Sequence, residues 1–548
     1  MKKIAYLTNV TADIIAQKLS QEYDIYLPAG YDTWMTEVRN KTSALYQGGI
    51  EAVFLILDGT MFRALSPEDP SIDAQVQLWR SAAAALAERA GAVPVFMATV
   101  DFRESRIRTF RESGRSLDRA AAWERFVTEL SSRFGNVYLL DLRDRIMDLG
   151  RNQFYSDKLW YLGSMPYSKV GVQTILEEIH LAMQAAFSGR AKVLVSDLDN
   201  TLWGGVAGED GVSGIGLSAH GEGSQYRDFQ LQLAEMKKRG VLLAINSRNN
   251  ESDAATVFKE HPDMALSESD FACSRINWQN KSVNLLEMEE ELNLGEAAFV
   301  VVDDNPMERA EIAENCPDAR MPAFPKDSAQ LVSFAEKLYQ EQFRLLQLTG
   351  EDRDKTEMYR QESGRRRLQA QSSDPDNYLR SLEITIDMHC MLKSERERVQ
   401  QLCSKTNQFN LTTIRYSLQE ITSMPADIYT VTTADQFGSN GLIAVLICRS
   451  DPEMDAVVID SFLMSCRVMG RKIEYAVLAL AARQYDKDLI GIYRRTQKNA
   501  PVEGLYSAAG FDLIEDAGNE KRYLLPRDRR PSLPDCFARV VFEGIEIL

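Results

Sequence analysis

The sequence predicts a multidomain α/β chain: two parallel-sheet α/β domains followed by an α+β domain. Three observations carry this. At 548 residues the chain is too long for one ordinary hydrophobic core. Its first part alternates short, near-continuous apolar runs with amphipathic stretches, the pattern of strands buried on both faces and joined by helices. Its last part holds strands and helices that are not strictly interleaved, which fits a mixed sheet.

In order, "KIAYLTNV", "AVFLILDG", "VPVFMATV" and "NVYLLDL" read as strands, with "DAQVQLWRSAAAALAERA" and "RAAAWERFVTEL" as helices between them. The helix "TILEEIHLAMQAAF" closes a first domain, 1–188, and Ser188-Gly189-Arg190 is a short linker. A second block, 189–345, repeats the alternation. "KVLVSDLD", "VLLAINS" and "AAFVVVDD" are its strands, and "SQYRDFQLQLAEMKKRG" is a helix with Gly240 as its stop signal. Residues 346–382 are polar and helical, expected as a solvated connection. In 383–548, strands such as "EITIDMHC" and "AVVIDSFLMS" accompany helices such as "IEYAVLALAARQY".

Composition excludes several classes of function. Apolar content of 45% and charged content of 26% are those of a folded soluble protein. A net charge of −17 argues against nucleic acid and against an anionic membrane surface as partners. No apolar run reaches the roughly 20 residues a membrane span needs, and "MKKIAYLTNV" lacks the long apolar region and cleavage site of a signal peptide. The seven cysteines are scattered without a CxxC pair, so a reducing cytoplasm is expected and a disulfide framework or zinc site is not.

"VLVSDLDNTLWGG" ends a strand with Asp197 and Asp199, two carboxylates that converge by strand parity and suit a hard cation such as Mg²⁺. Taken alone, Asp-Asn-Thr is also good turn chemistry. It is not alone. "LLAINSRNN" ends a second strand with Ser247, "INWQNKSVNL" provides Lys281, and "FVVVDDNPMER" ends a third strand with Asp303 and Asp304. Ligands of open α/β sheets bind at such strand ends.

This order of motifs resembles the haloacid-dehalogenase-like (HAD) phosphotransferase superfamily. The resemblance implies Asp197 as nucleophile and Asp199 as general acid/base. It implies Mg²⁺ held by Asp197, the Asp199 carbonyl and one of Asp303 and Asp304, with Asp304 favoured and Asp303 supporting Lys281. Thr201, Ser247, Arg248 and Asn249 would bind substrate, and Lys281 would neutralise charge.

The wording is narrower still. "SDLDNTLWGGVAGEDG", "VVDDNPMERAEI", "KTNQFNLTTIRYS", "QFGSNGLIAV" and "SFLMSCRVMGRKIEYAVL" resemble the FkbH-like family over nearly the whole chain. That resemblance implies loading of a glycerate unit from 1,3-bisphosphoglycerate onto the phosphopantetheine arm of an acyl carrier protein. It also implies an SGNH-hydrolase-like first domain and a GNAT-like last domain. Two alternatives stand beside it: a plain Mg²⁺-dependent phosphatase, and a noncatalytic docking protein of an assembly line.

Departures qualify the resemblance. The family commonly reads Cys-Ser-Lys-Asn where this chain has Asn246-Ser247-Arg248-Asn249. In the first domain Met165 stands where an SGNH histidine is expected and no GDS serine follows the first strand, so a docking role is expected, with Asn9, Asp58 and Ser168 lining a relic pocket. In the last domain Cys466 is the candidate acyl-carrying thiol, expected at a helix N-terminus. Arg467, Gly470 and Arg471 are expected to meet the arm's phosphate there. The competing reading makes Cys466 a small buried residue at a strand end.

Overall fold

The computed structural model describes residues 1–111, 114–348, 355–372, 374–452 and 454–548. The chain forms two compact units, Met1–Leu286 with Leu294–Arg353, and Glu287–Asn293 with Asp354–Leu548.

The first unit contains two wholly parallel sheets. One comprises β1 (Lys3–Leu7), β2 (Asp24–Tyr26), β3 (Ala52–Leu55), β4 (Val95–Ala98) and β5 (Val137–Leu140), in the order β2-β1-β3-β4-β5. Every residue of β3 and β4 is buried, as the unbroken apolar runs predict. The helix Pro70–Arg89 starts where Asp69 accepts a hydrogen bond from the Ser71 N–H at 2.9 Å and Pro70 presets φ. It buries Ile72, Val76, Trp79, Ala83 and Leu86 at helical spacing, and Trp79 meets Trp123 edge-on at 6.3 Å.

The residues expected to line a relic pocket have structural tasks. The Asn9 amide donates to the Asp58 carbonyl at 2.9 Å and accepts from its N–H at 2.8 Å, tying the ends of β1 and β3 together. Ser168 caps the helix Lys169–Phe187 by accepting from Gly171 N–H at 3.1 Å. Burial raises the Asp58 carboxyl to about 6, against a hydrogen bond from Thr60 N–H that favours its charged form. The folded state therefore holds a proton that the unfolded chain has lost. The associated stability is complete below the ordinary carboxylate range and is lost as pH rises through about 6. Asp58→Asn keeps an acceptor for Thr60. It should gain about 3 kcal/mol over the wild type in urea unfolding near pH 8 and almost nothing near pH 4. Equal differences at both pH values would refute this account.

The second sheet comprises β6 (Val193–Ser196), β7 (Leu242–Ser247), β8 (Phe271–Ile276) and β9 (Phe299–Val302), in the order β8-β7-β6-β9. All residues of β6, β7 and β9 are buried. The helix Ser224–Lys238 packs Phe229, Leu233 and Met236 into this core and stops before Gly240, whose φ of +80° closes the turn. Being parallel, the four strands deliver their C-terminal residues to one edge.

The second unit is built on nine strands: β10 (Thr385–Cys390), β11 (Asp427–Asp435), β12 (Gly438–Asp451), β13 (Ala456–Met464), β14 (Asp488–Arg494), β15 (Asp512–Asp516), β16 (Glu520–Leu525), β17 (Arg539–Phe542) and β18 (Ile545–Glu546). Their order is β15-β16-β14-β13-β12-β11-β10-β17-β18, mixed as predicted. The β13 and β14 strands are parallel, joined by the helix Ile473–Gln484, which is apolar nearly all round and correspondingly buried.

Part of the polar stretch 346–382 falls outside the described residues; the rest is less solvated than its composition suggests. The helices Lys355–Gln371 and Pro375–Ser381 occupy it. Arg365 is buried with a two-pronged hydrogen bond to Asp435 at 2.8 and 3.0 Å, and Leu379 and Leu382 join the core of the unit. Among the described residues no helix is long and apolar enough to cross a membrane.

Candidate active site

The edge of the second sheet collects the charged residues that sequence reasoning singled out. Asp197 follows β6, Asp303 and Asp304 follow β9, and Lys281 opens the helix Lys281–Leu292. Lys281 is buried, with its Nζ 2.9 Å from Asp197 Oδ2 and 2.5 Å from Asp303 Oδ2. Carboxylate oxygens of Asp197, Asp303 and Asp304 lie within 4.8 Å of one another. Burial works against charge on Lys281, but Asp197 and Asp303 outweigh it and raise its pKa, so the ammonium persists. Burial, and then the charge of Asp197, raise the carboxyls of Asp303 and Asp304. One ammonium among three crowded carboxylates leaves negative charge that a hard cation relieves, and an all-oxygen donor set fits Mg²⁺.

Asp199 is held by three donors. Its Oδ1 accepts from Trp203 Nε1 at 2.9 Å and from Ala207 N–H at 3.1 Å, and its Oδ2 accepts from Asn249 Nδ2 at 3.0 Å. Burial raises its carboxyl above the ordinary range despite these bonds, and the charge of Asp197 adds to the effect. Asn249, expected on substrate, therefore orients Asp199 here. Trp203 was not among the expected residues; its signal is an indole four places after Asp199 in a tight turn. That turn depends on Asn200, with φ of +54°, whose side chain accepts from Gly205 N–H at 3.0 Å.

Other expected substrate residues divide. Ser247 ends β7 fully buried at the same sheet edge. Thr201 is buried against Asp304: its hydroxyl accepts from the Asp304 N–H at 3.2 Å and lies 3.4 Å from Oδ1. Arg248 pairs with Glu308 at 3.0 Å and donates to Asn280 at 3.0 Å, so its guanidinium is held by protein groups. Asn246, at the position of the family's cysteine, is buried. It donates to the Lys281 carbonyl at 2.8 Å and accepts from Asn284 at 3.0 Å, a positioning contact behind the ammonium.

In the second unit the expected phosphate cradle is corrected in two places. Cys466 does not stand at a helix N-terminus: the helix begins at Ile473, and Cys466–Val468 form a 3₁₀ turn. The Cys466 side chain lies outside the described residues. Arg471 turns inward rather than toward a ligand, buried at 3.3 Å from Asp435 and 3.4 Å from Glu362. Gly470 has φ of +78° in the turn, and Arg467, on the surface, lies 3.3 Å from Ser465 Oγ.

The β13 and β14 strands pair from Ala456 to Ile459 and then part. The chain itself fills the wedge. Leu411 N–H donates to the Phe462 carbonyl at 3.0 Å, Met464 N–H to Phe409 at 3.0 Å, and Arg494 N–H to Leu411 at 2.7 Å. Asn499 secures the insertion by donating to the Asn410 carbonyl at 2.9 Å. An extended ligand cannot add as a strand there without displacing buried backbone.

Fold and site together define an α/β chain whose first unit carries an acidic, lysine-centred site at the edge of a parallel sheet and whose second unit is built on a mixed sheet. The chain is similar to the N-terminal part, containing a phosphatase domain and complexed with Mg, of a Bacteroides fragilis protein. Identity is 24% and the TM-score 0.55, over 63% of this chain and 95% of that one. This likeness shows the fold. An acetyltransferase from Thermus thermophilus (15% identity, TM-score 0.21, 26% of this chain and 97% of that one) also matches. So does an N-acetyltransferase from Staphylococcus aureus (14% identity, TM-score 0.21, 26% and 99%). No protein-family model and no curated protein matches the sequence.

Proposed function

We propose that the first unit is a Mg²⁺-dependent phosphatase working through an aspartyl-phosphate on Asp197. The observation that carries this reading is the convergence of Asp197, Asp303 and Asp304 beside the buried Lys281 ammonium. An Asp197 carboxylate oxygen attacks phosphorus, and the bond from phosphorus to the leaving oxygen breaks as the new one forms. Asp199 gives its proton to the leaving oxygen, then takes one from the water that hydrolyses the acyl phosphate. Its raised pKa favours the protonated form that the first step needs. Asp197, Asp304 and the Asp199 carbonyl would hold Mg²⁺, while Asp303 is committed to Lys281. When bound, the cation supplies charge neutralisation between an anionic nucleophile and an anionic phosphate.

The finer reading is that the substrate is 1,3-bisphosphoglycerate and that the glyceryl group passes to the phosphopantetheine thiol of an acyl carrier protein. It is supported by FkbH-like wording over nearly the whole chain. An acyl phosphate is already activated toward a thiol, and its second phosphate is an ester that needs a phosphatase. The filled wedge between β13 and β14 and the inward Arg471 favour the rival reading, a plain phosphatase whose second unit is a scaffold.

The test uses the full chain with Mg²⁺, 1,3-bisphosphoglycerate and a carrier protein bearing its arm. Phosphate release and the carrier's intact mass are followed together. Chelation by EDTA should lower phosphate release by at least about a hundredfold. Mg²⁺ alone should raise the thermal midpoint of the substrate-free protein. Phosphate release that survives chelation would overturn the metal-dependent reading, and phosphate release without a glyceryl mass on the carrier would leave the plain phosphatase.

A further inference from the structure

The first unit carries a basic, apolar-tipped loop that the phosphoryl site does not use. It leaves the end of β4 and is anchored where Ser105 N–H donates to the Leu65 carbonyl at 3.0 Å. Beyond that anchor Ile107 is 95% exposed and Phe110 is fully exposed. Arg106, Arg108 and Arg111 alternate with them, all on the surface. Among the described residues no carboxylate pairs with these three arginines. Solitary exposed apolar residues are ordinary. Two large ones interleaved with three guanidiniums that have no carboxylate partner among the described residues, in a chain of net charge −17, form a local exception to the surface around them.

Beside the loop lies a cavity of about 620 Å³, lined in part by Arg63, Arg103, Arg106, Ile107, Arg151 and Tyr155. Its inner arginines are fixed. The Arg103 guanidinium lies 4.1 Å from the centre of the Tyr155 ring and donates to Thr60 Oγ1 at 3.1 Å, and Arg63 pairs with Asp157 at 2.5 Å. Arg151 pairs with the buried Asp101, and Glu104 is taken by Arg119. The inner guanidiniums are thus each held by protein groups, Arg63 and Arg103 sharing Asp157, and the arginines without a carboxylate partner among the described residues sit on the loop.

We propose that this loop and cavity dock an acidic segment of a partner protein, one that presents carboxylates around an apolar side chain. Ile107 and Phe110 would take the apolar group, and Arg106, Arg108 and Arg111 the carboxylates. A protein segment fits better than an anionic lipid surface for two reasons. The cavity beside the loop, which Arg106 and Ile107 help to line, is a concave complement to a protruding group. The acidic remainder of the chain repels an extended anionic plane, whereas three local charges act on a compact segment within a Debye length of about 8 Å. The inference is independent of the phosphatase reading, since docking is measured without turnover. In the carrier-loading reading, the carrier is the partner to try next.

The experiment measures fluorescence anisotropy of a labelled synthetic helical peptide, Glu-rich on one face and Leu-bearing on the other, titrated with the full chain. A Gln-for-Glu version of the peptide is the control, and vesicles containing phosphatidylserine are tested by co-sedimentation. The acidic peptide should bind, more weakly as salt rises, and the Gln version should bind at least about tenfold more weakly. Combined Arg106→Glu, Arg108→Glu and Arg111→Glu should weaken binding at least about tenfold, and combined Ile107→Ser and Phe110→Ser by several-fold, with phosphate release unchanged. Equal binding of the Glu and Gln peptides, unaltered binding by the charge-reversed variant, or binding of vesicles but not of the peptide would each overturn the proposal.

Discussion

Asp197→Asn should lower phosphate release by at least about a thousandfold, the loss typical of removing a nucleophile that acts as part of a unit. An amide is close in shape to a carboxylate, so packing around it is conserved. The Asn side-chain oxygen can still accept from the Leu198 N–H that Asp197 Oδ1 accepts at 2.7 Å, and Lys281 keeps Asp303 at 2.5 Å. In the proposed mechanism, what disappears is the negative oxygen that would attack phosphorus and one of three carboxylates that would draw in a cation. The fold should survive, seen as an unchanged far-UV spectrum and a thermal midpoint near that of the wild type. The assay is single-turnover phosphate release in saturating Mg²⁺. With the wild type, an acid-stable, hydroxylamine-labile phosphate should be trapped on the protein, and Asp197→Asn should trap none. Near-normal release by the variant would remove Asp197 from the nucleophile's role and with it the aspartyl-phosphate mechanism.

The parts of this site legible in the sequence are those where a strand ends. A parallel sheet brings strand termini to one edge, so Asp197, Ser247, Asp303 and Asp304 could be placed together from the pattern of apolar runs alone. Side-chain direction within loops could not. Asn249 serves Asp199, Arg248 finds Glu308, and Thr201 faces Asp304, because each choice depends on a partner far away in sequence. The same limit explains Cys466. "SCRVMGRK" follows a strand and precedes a helical pattern, but where the helix starts depends on the left-handed turns at Gly470 and Lys472, and the first helical residue is Ile473. Composition predicts a solvated connection over 346–382, because helices rich in charge generally face water; Arg365 is buried because Asp435 lies beside it to take the charge.

Removing the cation at the centre of the cluster tests the electrostatic account most directly. Lys281→Met should destabilise the protein by about 3–5 kcal/mol at pH 8 without divalent metal, the cost of leaving a buried charge uncompensated. Methionine fills much of the same volume, and the backbone carbonyl of residue 281 can still accept from Asn246. The loss is therefore electrostatic rather than a cavity effect. Asp197, Asp303 and Asp304 would then face one another within 4.8 Å with no ammonium between them. Two conditions should restore stability. Lowering the pH protonates Asp303 or Asp304, whose carboxyls burial and the charge of Asp197 already raise: the folded state binds more protons than the unfolded one, so its stability rises as pH falls. Adding Mg²⁺ supplies the missing positive charge and stabilises by mass action. Urea unfolding at pH 5 and pH 8, with and without Mg²⁺, separates these effects. Phosphate release should stay low even in the metal-rescued protein, by at least about a hundredfold, because in the proposed mechanism the ammonium also neutralises charge that develops on the transferring group. A Lys281→Met variant as stable as the wild type at pH 8 without metal would show that the three carboxylates do not share the charge the geometry assigns them. Recovery by Mg²⁺ of full activity along with stability would reduce Lys281 to a structural role.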